Sequence, residues 1–373
     1  MDTKKLIENI NNTGFVLEYE VAHLFEENGW SVINNRYYLD DDSQRSREID
    51  ILAYKVREID ETFYYTSLII SCKKSNEHLW TFLVKNLDEK DPNIEKYPII
   101  DWSNNPIIDF MKKKQEFTNK VITGINSNEN VRFTYGVDEQ VFAFQQLDKK
   151  SYKPKNDKDI YNSIITSIKA LEYERNALNN RIDRDAVYNF NILSIFDGEM
   201  CSLKYNGTAE PEVNEINDIK YLNRHIVNKT DLFFRVHFLN YVSLKKCIKY
   251  YDGLHDWHVN VYSNLKKEFE KLMMEEKDES CLDLLLEDFK KKIYWKLIDT
   301  NLGERIDVTS LTFDKNNKMK VNCDIENGDY DKVEKSVLHF NEDMEVNEEI
   351  RIALEEVYGY SGDFYFCNDG LPF

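Results

Sequence analysis

The sequence predicts a mixed α/β (α+β) chain: a mixed sheet flanked by helices, then a largely helical stretch, then a small α+β region at the C-terminus. Three observations predict it. The first ninety or so residues switch between helical and strand periodicity in the order helix, strand, strand, strand, helix. Strand-like runs return at 131–147, 190–205 and 231–238, around one long helical pattern. The pattern from 242 to 300 is helical, and the remainder reverts to short strands and turns.

Residues 1–13 are polar and Asn-rich and read as a lead-in. Val16, Leu17, Val21, Leu24 and Phe25 recur at helical spacing, and Asn28-Gly29 stops that helix. Trp30 to Tyr38 (WSVINNRYY) follows as a strand, and an acidic loop, Leu39 to Ser43, leads into a hairpin. The hairpin reads REIDILAYKVREIDETFYYTSLIISCKK, from Arg47 to Lys74, with a polar connection at Arg57 to Thr62. Ser75 is expected to cap a helix from Asn76 to Leu87, with Leu79, Trp80 and Leu83 on one face. Residues 88–106 read as a loop, and a helix is expected from Ile107 to Ile122.

Farther on, KKSYKPKNDK (149–158) reads as a basic turn, either solvated or contacting phosphate. A long helix from Asp157 to Asn180 aligns Ile160, Ile164, Ile168 and Leu171. The 190–205 run is expected to turn at Asp197-Gly198, and Asn316-Asn317 and Asn327-Gly328 give later turn signals. A last helix is expected from Asn347 to Tyr358. The expected divisions are 1–150, then 151–240 as a continuation of that core or a second α/β domain, then helical 241–300, then 301–373.

At 373 residues and a net charge of −19, the chain is large enough for several cores. Its acidity argues against a module that coats nucleic acid non-specifically, which needs a basic surface. An enzyme with a local basic groove stays compatible. The six cysteines form no CxxC pair, so neither a zinc ribbon nor a thioredoxin site is indicated. Scattered thiols and an N-terminus without an apolar core of a signal sequence predict a reducing, cytoplasmic setting. No apolar run reaches the roughly 18 residues of a membrane span.

The chemistry concentrates in the hairpin. Asp50 lies inside an apolar strand pattern, where an unpaired carboxylate costs several kcal/mol. Ser71 and Lys73 are two apart and so share a strand face, while Cys72 points the other way. Carboxylates brought close repel each other and favour a cation between them, and a lysine beside them can orient water or contact phosphate. Glu48 reads as an exposed neighbour outside this site. His255 and His258 offer two imidazoles three apart, without an evident third ligand.

This arrangement resembles the PD-(D/E)xK nuclease superfamily, and several details are similar to its Mrr-type branch. Gly14 with Glu18 resembles the G-x-x-x-E helix of that branch, and Asn28-Gly29-Trp30-Ser31-Val32 its helix-to-strand junction. Arg47 to Ile51 resembles its acid-bearing strand, and Ile69-Ile70-Ser71-Cys72-Lys73 its I-x-E-C-K strand. The likeness covers about residues 13–85. It implies a restriction-endonuclease-like fold and a Mg²⁺- or Mn²⁺-dependent DNA endonuclease of prokaryotic restriction or anti-phage defence. It further implies Asp50 and Glu18 as metal ligands, Lys73 as the water-orienting or phosphate-contacting cation, and DNA as partner. A nuclease that cuts two strands implies a homodimer or larger oligomer. The helical 241–300 stretch could meet a partner protein.

Ser71 departs from the pattern, which has Glu or Asp there. A hydroxyl is a neutral, weaker ligand, so divalent-cation affinity is expected to fall. Glu77 and Glu89 are the candidates for a replacement carboxylate. The alternative is a catalytically degenerate nuclease-fold protein that binds nucleic acid, regulates or assembles.

Overall fold

The structure is a computed structural model that describes residues 1–40, 44–88, 90–207, 210–227, 229–295, 297–299, 304–324 and 330–368. Glu89, the Asn327-Gly328 turn and most of the Leu39–Ser43 loop lie outside the described residues. The chain is mixed α/β, as its periodicities predict. In order it runs α1 (Thr3–Asn11), α2 (Gly14–Glu27), β1 (Ser31–Asp40), β2 (Arg45–Ile59), β3 (Thr62–Asn86), β4 (Ile100–Ser103), α3 (Pro106–Lys112), α4 (Gln115–Ser127), α5 (Glu129–Tyr135), β5 (Glu139–Asp148) and α6 (Lys158–Arg181). It continues through β6 (Ala186–Lys204), β7 (Glu212–Glu215), β8 (Asp218–Val227), β9 (Thr230–Asn240), α7 (Tyr241–Met274), α8 (Glu279–Ile293), β10 (Ile298–Asp299), β11 (Glu304–Arg305), β12 (Asp307–Phe313), β13 (Met319–Asp324), α9 (Tyr330–Glu342), α10 (Met344–Tyr358) and β14 (Phe364–Cys367).

Two compact units divide the chain: Met1–Asn105 with Lys112–Ser263, and Pro106–Met111 with Asn264–Phe373. Unit 1 holds a sheet in the order β1-β2-β3-β6-β9-β8, with β5 added on β3 and β4 and β7 added on β6. Strands β3, β6 and β9 are mutually parallel, and the other pairings are antiparallel. Residues 151–240 therefore continue the core begun by the first 150, because β6 runs along nearly the whole of β3. Helix α6 lies on this sheet and buries Ile160, Ile164, Ile168 and Leu171 with Leu52, Ile69, Trp80 and Phe190. Helix α2 buries Leu17, Val21, Ala22 and Phe25 and ends at Gly29, whose φ of 75° suits a residue without Cβ.

One edge of β3 changes partner midway. It pairs with β2 from Thr62 to Ile70, then with β5 from His78 to Asn86. Ser71 to Glu77 fall between the two ladders. The register on the β2 side is pinned by Leu68, Ile69 and Ile70, each at most 1% exposed. Each is worth about 1.5–3 kcal/mol of burial. A one-residue slip would reverse every side chain of β2, Asp50 included.

Four expectations give way. Residues 76–87 continue β3 rather than forming a helix, because Trp80, Phe82 and Val84 are fully buried with the period of two that a strand requires. Asp197-Gly198 lies inside the unbroken β6, so there is no hairpin at that point. The 131–147 stretch begins as α5, capped by the Asn128 side chain, and becomes a strand only at Glu139. The lead-in carries a helix, α1, capped by Asp2.

In addition, the 107–122 helix is two helices, α3 and α4. The expected helical stretch from 242 matches α7 and α8. Unit 2 contains a three-stranded sheet, β12-β13-β14, with α8, α9 and α10. Its core includes Leu282, Phe289, Leu311, Val321, Ile350 and Phe366, and the Tyr358 hydroxyl donates to the Leu282 carbonyl at 3.0 Å. No helix among the described residues is long and apolar enough to cross a membrane.

Candidate active site

The hairpin of β2 and β3 closes through Asp60-Glu61 alone, both at positive φ (48° and 60°), a turn tighter than the Arg57–Thr62 connection expected. The ladder fixes Ile51 opposite Ile70 and then stops. Asp50 and Ser71 are the next residues, at the mouth of the gap between β2 and β5.

Asp50 fills that mouth. Its Oδ2 accepts from the Cys72 amide at 2.8 Å, from the Ser71 hydroxyl at 3.2 Å and from the Lys73 ammonium at 3.3 Å. The Cys72 amide has no ladder partner on this edge, so the carboxylate satisfies a backbone donor that would otherwise be stranded. All three contacts fall on one oxygen, and Oδ1 carries no hydrogen bond among the described residues. Lys73 also donates to the Cys72 carbonyl at 3.0 Å. The Asp50 and Lys73 side chains are 22% and 30% exposed, so the pair is accessible, whereas Ser71 is buried at 4%.

Glu18 comes from the second turn of α2. Side chains on a helix lean toward its N-terminus, and the Glu18 carboxylate lies back over Gly14, with Oε1 3.7 Å from where a Cβ on Gly14 would sit. Half-buried, it makes no hydrogen bond or ion pair among the described residues. Burial first, then the negative charge of Asp50, push its pKa up to about 7; Lys73 opposes this and Glu48 adds to it. The structure therefore brings Glu18, Asp50, Ser71 and Lys73 into one electrostatic neighbourhood. Cys72 is buried, and burial pushes its thiol well up, so it is inert packing.

Glu48 is exposed, as expected, yet it belongs to this neighbourhood. It lies two residues from Asp50 on one strand and lines the same recess, with Asp50, Ser71, Thr166 and Ser167. The signal that finds it is the strand period itself. Glu77 is exposed, and its carboxylate makes no hydrogen bond or ion pair among the described residues. Arg47 pairs with the buried Asp40 at 2.5 Å, which Lys169 also reaches at 2.9 Å.

Immediately past Lys73, β3 bulges away from β6. Lys74 is level with Asp197 and pairs with it at 2.6 Å, but the next aligned pair is Leu79 with Glu199. The Ser75 hydroxyl accepts from the amides of Glu77 and His78, the local bonding expected of a helix cap, used here to fold a bulge. Gly198 accommodates it: a Cβ there would sit 2.8 Å from the Ser75 carbonyl oxygen. Bulges of this kind often re-aim side chains beside active sites.

The two histidines are elsewhere. Both Nδ1 atoms contact the Thr66 hydroxyl, His258 at 3.0 Å and His255 at 3.1 Å, and His258 Nε2 lies 2.6 Å from the Tyr135 hydroxyl. They are a buried polar network. Among the described residues no group of three His, Cys, Asp or Glu side chains is arranged to hold a metal ion.

For a divalent cation such as Mg²⁺, the donors at hand are Asp50 Oδ1, the Glu18 carboxylate and the Ser71 hydroxyl. That set fits a hard cation that needs only one or two carboxylates and completes its shell with water and substrate phosphate. Comparison of the chain with protein-family models, with curated proteins and with solved structures gave no match in any of the three.

Proposed function

We propose that the Asp50 neighbourhood hydrolyses DNA phosphodiester bonds with a divalent cation, as an endonuclease of the PD-(D/E)xK type. One observation carries the reading: a half-buried carboxylate, Glu18, stands without a partner beside Asp50, with its pKa pushed up to about 7. Folded proteins rarely leave such a group uncompensated unless a ligand or cation completes it.

On this reading Asp50 and Glu18 hold Mg²⁺ or Mn²⁺, which would supply Lewis-acid polarisation of the phosphate and an activated water. Ser71 orients Asp50 by donating to Oδ2, which leaves Oδ1 to face the cation. Lys73 leaves Asp50 to contact the phosphate or orient the water. A cytoplasmic role in prokaryotic restriction or anti-phage defence, assembly as a homodimer or larger oligomer, and a protein partner on residues 241–300 belong to the same proposal.

A second reading has an observation of its own: no three-ligand metal group among the described residues. On it the chain binds nucleic acid without cutting.

The test is cleavage of plasmid, linear and single-stranded DNA with Mg²⁺ or Mn²⁺, beside Asp50→Ala and Lys73→Ala. Cleavage by the wild type alone supports the nuclease. Cleavage that survives both changes removes this site from the reaction, and no cleavage with either metal favours the second reading.

A further inference from the structure

In a chain of net charge −19, residues 149–158 carry five lysines and one aspartate. Lys149 pairs with Glu199 at 2.5 Å. Lys150, Lys153, Lys155 and Lys158 are exposed and make no ion pair among the described residues. Along β2 and β3, by contrast, Arg47, Lys55, Arg57, Lys73 and Lys74 each meet a carboxylate.

The loop is also held in shape. The Asp148 carboxylate accepts from the amides of Lys150 and Ser151 and from the Ser151 hydroxyl. The Asp148 amide donates to the Lys153 carbonyl, and the Lys155 amide to the Gln146 carbonyl, both between 2.8 and 2.9 Å. Within this frame Tyr152 takes a positive φ of 54° and is 67% exposed. A strained, outward aromatic among unpaired cations is a preorganised surface rather than a slack linker.

Its place follows from β6. Lys74, next to the candidate site, pairs with Asp197, and Lys149 pairs with Glu199. These two anchors are two residues apart on β6, on the face opposite Ser71 and Lys73, and the loop leaves β5 at Asp148, level with His78 at the β5 side of the gap that Asp50 fills. The Lys149 amide also donates to the Glu77 carbonyl in the bulge at 2.8 Å.

The geometry points to the 149–158 loop as a clamp for an unpaired nucleic-acid strand leading into the Asp50 site. Lys150, Lys153, Lys155 and Lys158 hold its phosphates, and Tyr152 stacks on a base. Backbone cations with an exposed ring are the parts that bind single strands without sequence preference. A duplex, with its bases already stacked, would use the lysines alone.

This inference rests on the nuclease reading only for the destination of the strand, so it is tested without catalysis. Fluorescence anisotropy follows the full chain in EDTA binding labelled poly-dT, the poly-dT/poly-dA duplex, and phosphatidylcholine vesicles containing phosphatidylserine. The combined change Lys150→Glu, Lys153→Glu and Lys155→Glu is expected to weaken poly-dT binding by about tenfold or more and to flatten the log–log salt slope by about 2. Tyr152→Asn tolerates the positive φ. It is expected to weaken poly-dT by about fivefold or more and spare the duplex, and Tyr152→Trp to restore binding. Circular dichroism confirms that each variant is folded.

Wild-type affinity in the charge-reversal variant, or vesicle binding without poly-dT binding, overturns the clamp. Equal loss on poly-dT and duplex in Tyr152→Asn overturns the stacking role. If the clamp fails, wild-type cleavage persists. If the nuclease reading fails, the binding losses persist without any cleavage.

Discussion

Two polar clusters share strand β3, five residues apart, and they are built on opposite principles. Around Thr66 the network is closed. The hydroxyl has one proton and two imidazole neighbours, so one Nδ1 accepts while the other donates. Tyr135 donates to Asn189 Oδ1 at 2.9 Å, which leaves His258 Nε2 as the donor to Tyr135; His258 Nδ1 then accepts from Thr66, and His255 Nδ1 donates. Every member is buried, and among the described residues only Asn189 Nδ2 and His255 Nε2 go without a partner. Around Ser71 the cluster is open: Asp50 uses one oxygen, Glu18 none, and the pair faces solvent. Histidines attract attention in a sequence, yet here they are structural. What distinguishes the candidate site is incomplete satisfaction, which no residue type reveals by itself.

If that contrast is right, removing members of the two clusters gives opposite phenotypes. The largest effect is expected for Asp50→Ala and Lys73→Ala: a loss of cleavage of roughly a thousandfold or more, about 4 kcal/mol on the barrier. Lys73→Ala should melt close to wild type, because it removes one partly exposed partner, while Asp50→Ala also strands the Cys72 amide and should cost about 1–2 kcal/mol. His258→Ala should do the reverse. It takes one partner each from Thr66 and Tyr135, which keep His255 and Asn189, and opens a cavity in the core, with an expected loss of about 3 kcal/mol in urea denaturation. Tyr135→Phe should cost less, about 1–2 kcal/mol. A His258→Ala protein that keeps its stability and loses cleavage while folded would break the comparison.

Acidity sharpens the same contrast. Burial lowers His255 to about 4 and His258 well below its usual range. Both are held neutral, so their contribution is fully present above the ordinary 6.5 and is lost as pH falls through that value toward 4. Wild type should therefore destabilise more steeply over that window than a His255→Gln protein, as read by the melting temperature across a pH series.

How much of this was legible beforehand depends on the kind of signal. Asp50, Lys73 and the hairpin that joins them were readable because an acid inside an apolar strand has few structural excuses. Glu18 was readable only through the resemblance of Gly14 and Glu18 to the G-x-x-x-E helix of the Mrr-type branch. Glu48 was missed although the period of two places it beside Asp50. The helix expected after Lys74 failed for a physical reason. Ser75 makes cap-like bonds, but Trp80, Phe82 and Val84 bury with strand period, and packing outweighed the local cue. The long-range events were not legible: β3 exchanging β2 for β5, and β6 running through Asp197-Gly198, depend on partners more than a hundred residues away or on ladders that no local pattern encodes.

Ser71→Glu probes the open cluster from the other side. It restores a carboxylate on the face shared with Lys73 and gives up the hydroxyl that holds Asp50 Oδ2. Mg²⁺ affinity by isothermal titration calorimetry is expected to tighten by about tenfold, about 1.4 kcal/mol. Because Ser71 is 4% exposed, the larger side chain should also cost about 1–2 kcal/mol of stability. Unchanged affinity would mean that Ser71 does not face the cation.

The smallest effect isolates Glu18. Its pKa is about 7 in the folded protein against an ordinary 4.5. The folded state therefore holds a proton that the unfolded chain has released. The resulting stability is fully present below 4.5 and is lost as pH rises through 7. Glu18→Gln removes this slope and leaves the histidines untouched, so the difference between the two proteins cancels the histidine contribution. In metal-free buffer the variant should match wild type near pH 4.5 and exceed it in melting temperature above pH 7. Adding Mg²⁺ at the higher pH should raise wild type and not the variant, since only a carboxylate can exchange its repulsion with Asp50 for a bound cation. A difference that is flat with pH would show that Glu18 is an ordinary surface carboxylate, and the open cluster would lose the member that most sets it apart from the closed one.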